Sequence, residues 1–253
     1  MDGPVTATAF IPARWNSSRL PHKNYLPCAG ESLVSRAIRV AVAAMDIGLM
    51  DHVVVSADFH ATSYAGEYDK WQRRSVTVLK RRVVRIPGLE GELNLDGPET
   101  TVSQLLAGLI RSGEWRELNA DLYCVLLPTS PLRTLRHLVE SRLLFQPGTD
   151  MVMSVTPFHQ SVFHALRVTN GQLGLLDSAR WTRTIAPLVH CGTVLWCSRS
   201  VAQTGTGFYQ DDRIIVPYPV PSHEAIDVNT QLDLDVADML LRRREALPGG
   251  QTL

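Results

Sequence analysis

Short runs of branched apolar residues alternate along this chain with segments whose apolar positions recur at helical spacing. Val5 to Ile11 is an apolar, β-branched run ending at Pro12, which predicts a buried strand that opens into a polar loop. After Ser32, a residue suited to an N-cap, Val34, Ala37, Ile38, Ala41, Val42 and Met45 fall on one helix face, and Gly48 follows its end. The rhythm then repeats with a strand over His52 to Ser56, a helix over Ala61 to Asp69 and a strand over Val76 to Leu79. Val102, Leu105, Leu106, Leu109 and Ile110 mark another helix face, and LYCVLL (Leu122 to Leu127) another buried strand. Leu135, Leu138, Val139, Arg142 and Leu143 predict a further helix face, and Met151 to Val155 a further strand.

Strands separated by helices in this way predict an α/β fold, a mostly parallel sheet sandwiched by helices. The alternation loosens after Pro157, where HALRVTNGQLG (His164 to Gly174) places an Asn-Gly turn between β-prone runs, predicting a β-rich excursion. Gly192 to Ser198 and Ile214 to Val220 return as extended segments, and a helix from Gln231 to about Leu247 closes the pattern. In such sheets ligands bind beyond the carboxyl ends of the strands. Four loops qualify: Pro12 to Asn24, Arg85 to Thr101, Pro128 to Arg133, and Glu224 to Thr230.

Composition narrows the partners more than it changes the fold. The 253 residues are enough for one large α/β domain, and Lys+Arg and Asp+Glu balance at 25 each, so no global charge excess argues for nucleic acid or an anionic membrane. KRRVVR (Lys80 to Arg85) and Arg242 to Arg244 read as solvated faces. The opening MDGPVTATAF lacks a basic region followed by an apolar core, and charged residues interrupt every apolar stretch short of a membrane span; the expectation is a cytoplasmic chain. Cys28, Cys124, Cys191 and Cys197 contain no CxxC pair, and the eight histidines no HExxH spacing, so neither a disulfide framework nor a zinc site is inferred.

The chemistry concentrates in the first loop. Arg14, Arg19 and Lys23 place three cations within ten residues between the first strand and the first helix. Guanidinium groups grip phosphate oxygens in pairs, and a lysine adds a mobile point charge. GxxxxGK[ST] is absent, so this is not a Walker A loop. On charge spacing alone, a solvated basic loop and a phosphate site stand level.

The order of residues says more. IPARWNSSRLPHKN (Ile11 to Asn24) resembles the motif IPARGGSKRLPGKN of the CMP-sialic acid synthetases and related acylneuraminate cytidylyltransferases. SLVSRAI resembles that family's first-helix segment, VVVSAD its second strand, ELNLD (Glu92 to Asp96) its ELATD, LLPTSPLR its LQPTSPLR, and IDVNTQLD (Ile226 to Asp233) its IDIDTPED. The resemblance implies one domain over residues 1–253 of nucleotide-diphospho-sugar transferase type, a small dimerisation excursion at about 157–190, and a homodimer. It further implies that an acidic acceptor attacks the α-phosphorus of CTP, giving a CMP conjugate and pyrophosphate with Mg²⁺ as cofactor.

Residue by residue, the resemblance assigns Pro12, Ala13, Arg14, Ser17, Arg19, Lys23 and Asn24 to the nucleotide, with Arg14, Lys23 and Asp227 as the catalytic set. Asp96 matches a segment near base and acceptor, or simply caps the next helix, and Arg85 precedes a ligand-facing loop. Leu127, Arg167, Arg180 and Cys191 fall on the acceptor side, with Arg183 an alternative to Arg180. Asp227 and Asn229 fall at the metal.

The departures fall on the same positions. Trp15 and Asn16 replace the two loop glycines, and Trp15 either stacks on the nucleoside or packs the loop against the domain. Ser18 replaces a lysine, Asn229 the second aspartate, Leu127 a glutamine and Cys191 an asparagine. Losing two polar acceptor contacts together points away from ordinary sialic acid, toward another nonulosonic acid or a smaller acid such as a phosphonate. A nucleotide-binding homologue with weakened catalysis is the first alternative. A glycosyltransferase on the same fold is the second, although no DxD motif follows a mid-chain strand.

Overall fold

The computed structural model describes residues 4–57, 71, 75–80, 83–85, 92–94, 100–158, 166–169, 172–175 and 187–246. In chain order its elements begin with strand β1 (Ala7–Ala13), the short strands β2 (Pro27–Cys28) and β3 (Glu31–Ser32), helix α1 (Leu33–Asp46) and strand β4 (His52–Ala57). Next come β5 (Val76–Lys80), β6 (Val83–Arg85), β7 (Glu92–Asn94), helix α2 (Val102–Ser112), β8 (Leu122–Val125) and helix α3 (Leu135–Leu143). The chain continues through β9 (Met151–Pro157), β10 (Leu166–Thr169), β11 (Gln172–Leu175), β12 (Leu188–Ser198) and the short helix α4 (Arg199–Ala202). It ends in β13 (Ile215–Pro219) and helix α5 (Gln231–Ala246). The predicted helix over Ala61 to Asp69 lies outside the described residues.

Seven strands form the central sheet in the order β13-β9-β12-β8-β1-β4-β5. β1 pairs in parallel with β4 and β8, β4 with β5, and β13 with β9. β12 alone runs antiparallel, between β8 and β9, so its N-terminal end lies where the parallel strands end. The mostly parallel sheet expected from the sequence is therefore present, with one reversed strand, the third of the seven.

Alternation along β1 sorts the core into two layers. Ala7, Ala9, Ile11 and Ala13 face the cluster that includes α1 and Leu138 of α3, while Phe10 faces Leu105, Leu106 and Leu109 of α2. Each of those fully buried leucines contributes about 1.5–3 kcal/mol of transfer free energy. Capping follows the sequence signals. Ser32 accepts the Ser35 N–H to start α1, and Thr101 forms a reciprocal capping box with Gln104 to start α2.

Two expectations need correction. β1 does not stop before Pro12 but runs through it to Ala13. The carbonyl of Phe10 accepts the Leu126 N–H on the β8 side, and two residues further on Pro12 faces that same side, where β8 pairing has ended. The missing proline N–H thus removes no ladder bond. Helix α3 also presents a different face from the apolar spacing. His137, Leu138 and Ser141 are buried while Leu143 is 69% exposed. Polar residues are stable there because each is satisfied: Ser141 Oγ accepts the Trp196 indole N–H at 2.9 Å, and His137 bonds Glu224. In the excursion, β10 and β11 pair antiparallel as the β-prone runs predict, and the connecting Asn170 and Gly171 lie outside the described residues.

Candidate active site

The loop after β1 is anchored at both ends. Tyr25, in a short 3-10 turn over Lys23–Tyr25, donates its hydroxyl to the Ala13 carbonyl at 3.1 Å, and the Asn24 amide donates to the Arg14 carbonyl at 2.8 Å. The Trp15 ring lies 4.2 Å from the His22 ring and 5.1 Å from the Tyr25 ring and packs against the α1-side core. Trp15 thereby packs the loop against the domain, one of the two roles its bulk allows. Between these anchors Asn16, Ser18 and Arg19 are exposed, and Arg14 reaches across to donate to the Thr100 carbonyl at 3.2 Å.

A cleft of about 290 Å³ opens over this loop. Pro12, Arg14, Ser17, Arg19, Lys23 and Asn24 line one wall, and Thr100, Leu105, Leu127, Pro128 and Thr129 line the other. Six positions assigned to the nucleotide thus meet at one cavity together with Leu127. Ala13 is fully buried in β1 and lies behind the wall.

Lys23 ties this loop to the Asp227 loop. Its ammonium donates to Asn229 Oδ1 at 3.2 Å, and Asn229 Nδ2 donates to Asp227 Oδ2 at 2.7 Å. Lys23 is 8% exposed, and burial lowers its pKa below the usual lysine value, opposed by the Asp227 carboxylate. The Asp227 loop itself is firmly seated. The Val228 N–H donates to the Thr129 carbonyl at 2.8 Å, and Asp233 Oδ2 accepts from the Asn229 N–H, the Thr230 N–H and the Thr230 hydroxyl. Burial would raise the Asp233 pKa, but these bonds outweigh it and hold the carboxyl below its usual value.

Behind that loop, Glu224 accepts from Arg136 and His137, each at 2.7 Å. His137 Nδ1 takes the Thr134 N–H at 3.0 Å, which leaves Nε2 as the protonated nitrogen that donates to Glu224. The ring is thus held neutral, and burial lowers its pKa despite the neighbouring carboxylate. On the acceptor side, Arg133 is buried and donates to three carbonyls: Leu127 at 2.7 Å, Gly192 at 3.2 Å, and Thr193. It fastens the Leu127 loop to the start of β12, where Cys191 is buried with its sulfur 3.4 Å from the Thr193 hydroxyl. Gly192 has φ 72°, and a Cβ there would sit 3.0 Å from Ser130 Oγ and 3.2 Å from Leu127 Cδ1. Leu127 thus stands at the cleft beside Gly192, whereas the Cys191 side chain, expected on the acceptor side, is buried in the α1-side core and does not line the cleft.

Arg85 ends β6 and Arg167 lies in β10, with only their backbone among the described residues, and Asp96, Arg180 and Arg183 lie outside them. Sequence reasoning missed Arg133, His137 and Glu224. Arg133 ends the LLPTSPLR motif, and His137 stands three residues after Thr134 at a capping-box position, so both carried a local signal. Glu224 carried none, because its partners are 87 and 88 residues away in sequence.

Among the described residues no three His, Cys, Asp or Glu side chains group as a metal cage, and no helix is long and apolar enough to cross a membrane. Asp227 is exposed beside the cleft's buried lysine. That donor set suits a hard cation that takes one or two carboxylates and completes its shell with substrate phosphates and water, as Mg²⁺ does.

The chain is similar to several known proteins. A family model described as cytidylyltransferase matches residues 8–65, which carry β1, the phosphate loop, α1 and β4. CMP-N,N'-diacetyllegionaminic acid synthase of Legionella pneumophila is 30% identical over 152 residues, 59% of this chain and 57% of the relative. The chain thus spans little more than half the length of that curated relative in the match. Among solved structures, CMP:2-keto-3-deoxy-manno-octonic acid synthetase complexed with CTP superposes with TM-score 0.61 at 18% identity, over 94% of this chain and 99% of that one. The 4-diphosphocytidyl-2C-methyl-D-erythritol synthase of Anaerococcus prevotii gives TM-score 0.62 at 9% identity, over 94% and 97%. The fold is therefore the one that these two enzymes share.

Proposed function

We propose that the chain is a CTP-dependent cytidylyltransferase that joins CMP to a small acidic acceptor and releases pyrophosphate. The observation that carries this reading is the single cleft in which Arg14, Ser17, Arg19, Lys23 and Asn24 converge, with Asp227 linked to Lys23 at its edge. In the reaction an acceptor oxygen attacks the α-phosphorus in line, the bond to the bridging oxygen breaks, and that oxygen leaves with pyrophosphate. Arg14, Arg19 and Lys23 hold the triphosphate and offset the charge that develops on the leaving group. Asp227 would hold Mg²⁺, which supplies charge neutralisation on the phosphate oxygens.

The acceptor is an acid other than ordinary sialic acid, a different nonulosonate or a smaller acid such as a phosphonate. The apolar Leu127 on the cleft wall, where the resembled family has a glutamine, supports this. So do the relatives, whose names give N,N'-diacetyllegionaminic acid and 2-keto-3-deoxy-manno-octonic acid as partners of CMP. Arg167 and Arg180 complete the acceptor side in this reading, and the segment at about 157–190 joins two copies as a homodimer. Pyrophosphate release from CTP across a panel of nonulosonates and phosphonates tests the proposal, alongside a thermal-shift comparison of CTP, UTP, ATP and GTP. Efficient turnover of N-acetylneuraminate would remove the acceptor assignment. CTP binding without pyrophosphate from any acceptor would favour a nucleotide-binding homologue, the reading that Asn229 and the exposed Ser18 support.

A further inference from the structure

Asn229 occupies the joint between the two loops, and both ends of its side-chain amide are engaged. Its Oδ1 accepts from Lys23 Nζ at 3.2 Å and its Nδ2 donates to Asp227 Oδ2 at 2.7 Å, while the backbone N–H donates to Asp233 at 2.9 Å. The direction of the amide follows from its neighbours, since an ammonium only donates and an ionised carboxylate only accepts. The flipped amide would set its NH₂ against the ammonium and its carbonyl against the carboxylate, two repulsive contacts in place of two attractive ones. The oxygen of Asn229, its only side-chain group able to ligate a hard cation, therefore points at Lys23.

We propose that Asn229 is a positioning residue, a neutral link that holds Lys23 and Asp227 in place, and not a ligand of the divalent cation. A carboxylate at this position would pair directly with the lysine ammonium and would also set a second negative charge beside Asp227. The amide does neither. Lys23 keeps its positive charge directed to the triphosphate, and the cation meets one protein carboxylate, drawing its other ligands from phosphate oxygens and water. The inference rests on the cytidylyltransferase reading for the identity of the nucleotide, but its geometry concerns only the triphosphate and the cation, which all nucleoside triphosphates share.

Two binding measurements on the full chain test the link without turnover. Mn²⁺ alone, followed by its electron spin resonance signal, reads the cation site. CTP in the presence of EDTA, followed by calorimetry, reads the lysine side. Asn229→Ala, which frees the Asp227 carboxylate without removing it, is expected to weaken Mn²⁺ binding by about 2- to 3-fold, while Asp227→Asn loses about 10-fold or more. Asn229→Asp is expected to move the two readings in opposite directions, with Mn²⁺ bound about 10-fold more tightly and metal-free CTP about 10-fold more weakly. The Asp233 cap uses only the backbone N–H of position 229, and the near-isosteric Asn229→Asp variant gives a result even if Asn229→Ala melts early. Loss of Mn²⁺ affinity in Asn229→Ala as large as in Asp227→Asn would overturn the proposal by making Asn229 a ligand. Unchanged metal-free CTP binding in Asn229→Asp would overturn it from the lysine side. Equal binding of ATP and CTP would instead sink the cytidylyl reading while leaving the link intact.

Discussion

The two loops that meet at Lys23 are built in opposite ways. The loop after β1 is fixed at its ends, by Tyr25 on the Ala13 carbonyl, Asn24 on the Arg14 carbonyl and Trp15 on the core, and between them it exposes Ser18 and Arg19. The Asp227 loop is fixed along its length, by Glu224 on His137 and Arg136, Val228 on Thr129 and Asp233 on two backbone N–H groups. On the proposed reading, a cationic side chain that follows a polyanion tolerates a loosely held backbone, whereas a single carboxylate that meets a metal ion at a set place does not. The difference predicts that substitutions in the first loop change binding and turnover, and that substitutions behind the second change stability first.

The largest effect should come from Lys23→Met, which keeps the side chain's bulk and removes its charge. Turnover measured by pyrophosphate release is expected to fall about 10²–10³-fold, with the circular dichroism spectrum unchanged. Glu224→Ala reads the second loop. It leaves His137 and Arg136 without their shared acceptor, and urea denaturation should show a loss of about 2–3 kcal/mol. Arg19→Ala in the first loop should stay within about 0.5 kcal/mol of the native chain. Equal stability losses from Glu224→Ala and Arg19→Ala would erase the contrast between the loops.

Asp233→Ala removes the acceptor at the start of α5 and is expected to cost about 1 kcal/mol, seen as a lower thermal midpoint. The smallest expected effect is in pH. Because the folded-state pKa of His137 is lowered, the unfolded chain takes up a proton that the folded chain resists. The stability this contributes is full above the unfolded-state value of about 6.5 and is lost as pH falls toward the folded-state value. Denaturation midpoints compared between the native chain and His137→Gln should diverge across that window. Parallel curves would place His137 outside the linkage.

Much of the fold was legible because its signals are local. The Ser32 cap, the α2 face from Val102 to Ile110 and the buried strands each lie within one window of sequence. The Pro12 boundary failed because a proline is harmful in a strand only where its missing N–H would have been paired, and that depends on where β8 ends. The α3 face failed for a related reason: His137 and Ser141 read as polar, yet partners on the Glu224 turn and β12 make them suitable for burial. At the site, ordered motifs brought the phosphate-loop residues, Asp227 and Asn229 into view. They carried no information on which way an amide faces, nor on Arg133, whose three carbonyl partners are 6, 59 and 60 residues from it.

The reversed strand β12 sets where this architecture can grow. β9 ends and β12 begins at the carboxyl edge of the parallel strands, with Pro157 opposite Leu188, so the chain leaves and re-enters the sheet at that edge. A parallel neighbour would have required a crossover back to the far edge. Here a segment can lengthen, shorten or be exchanged for another without disturbing any pairing of the central sheet. On the proposed reading, the sheet thus separates what must stay constant, the grip on phosphate, from what is free to change.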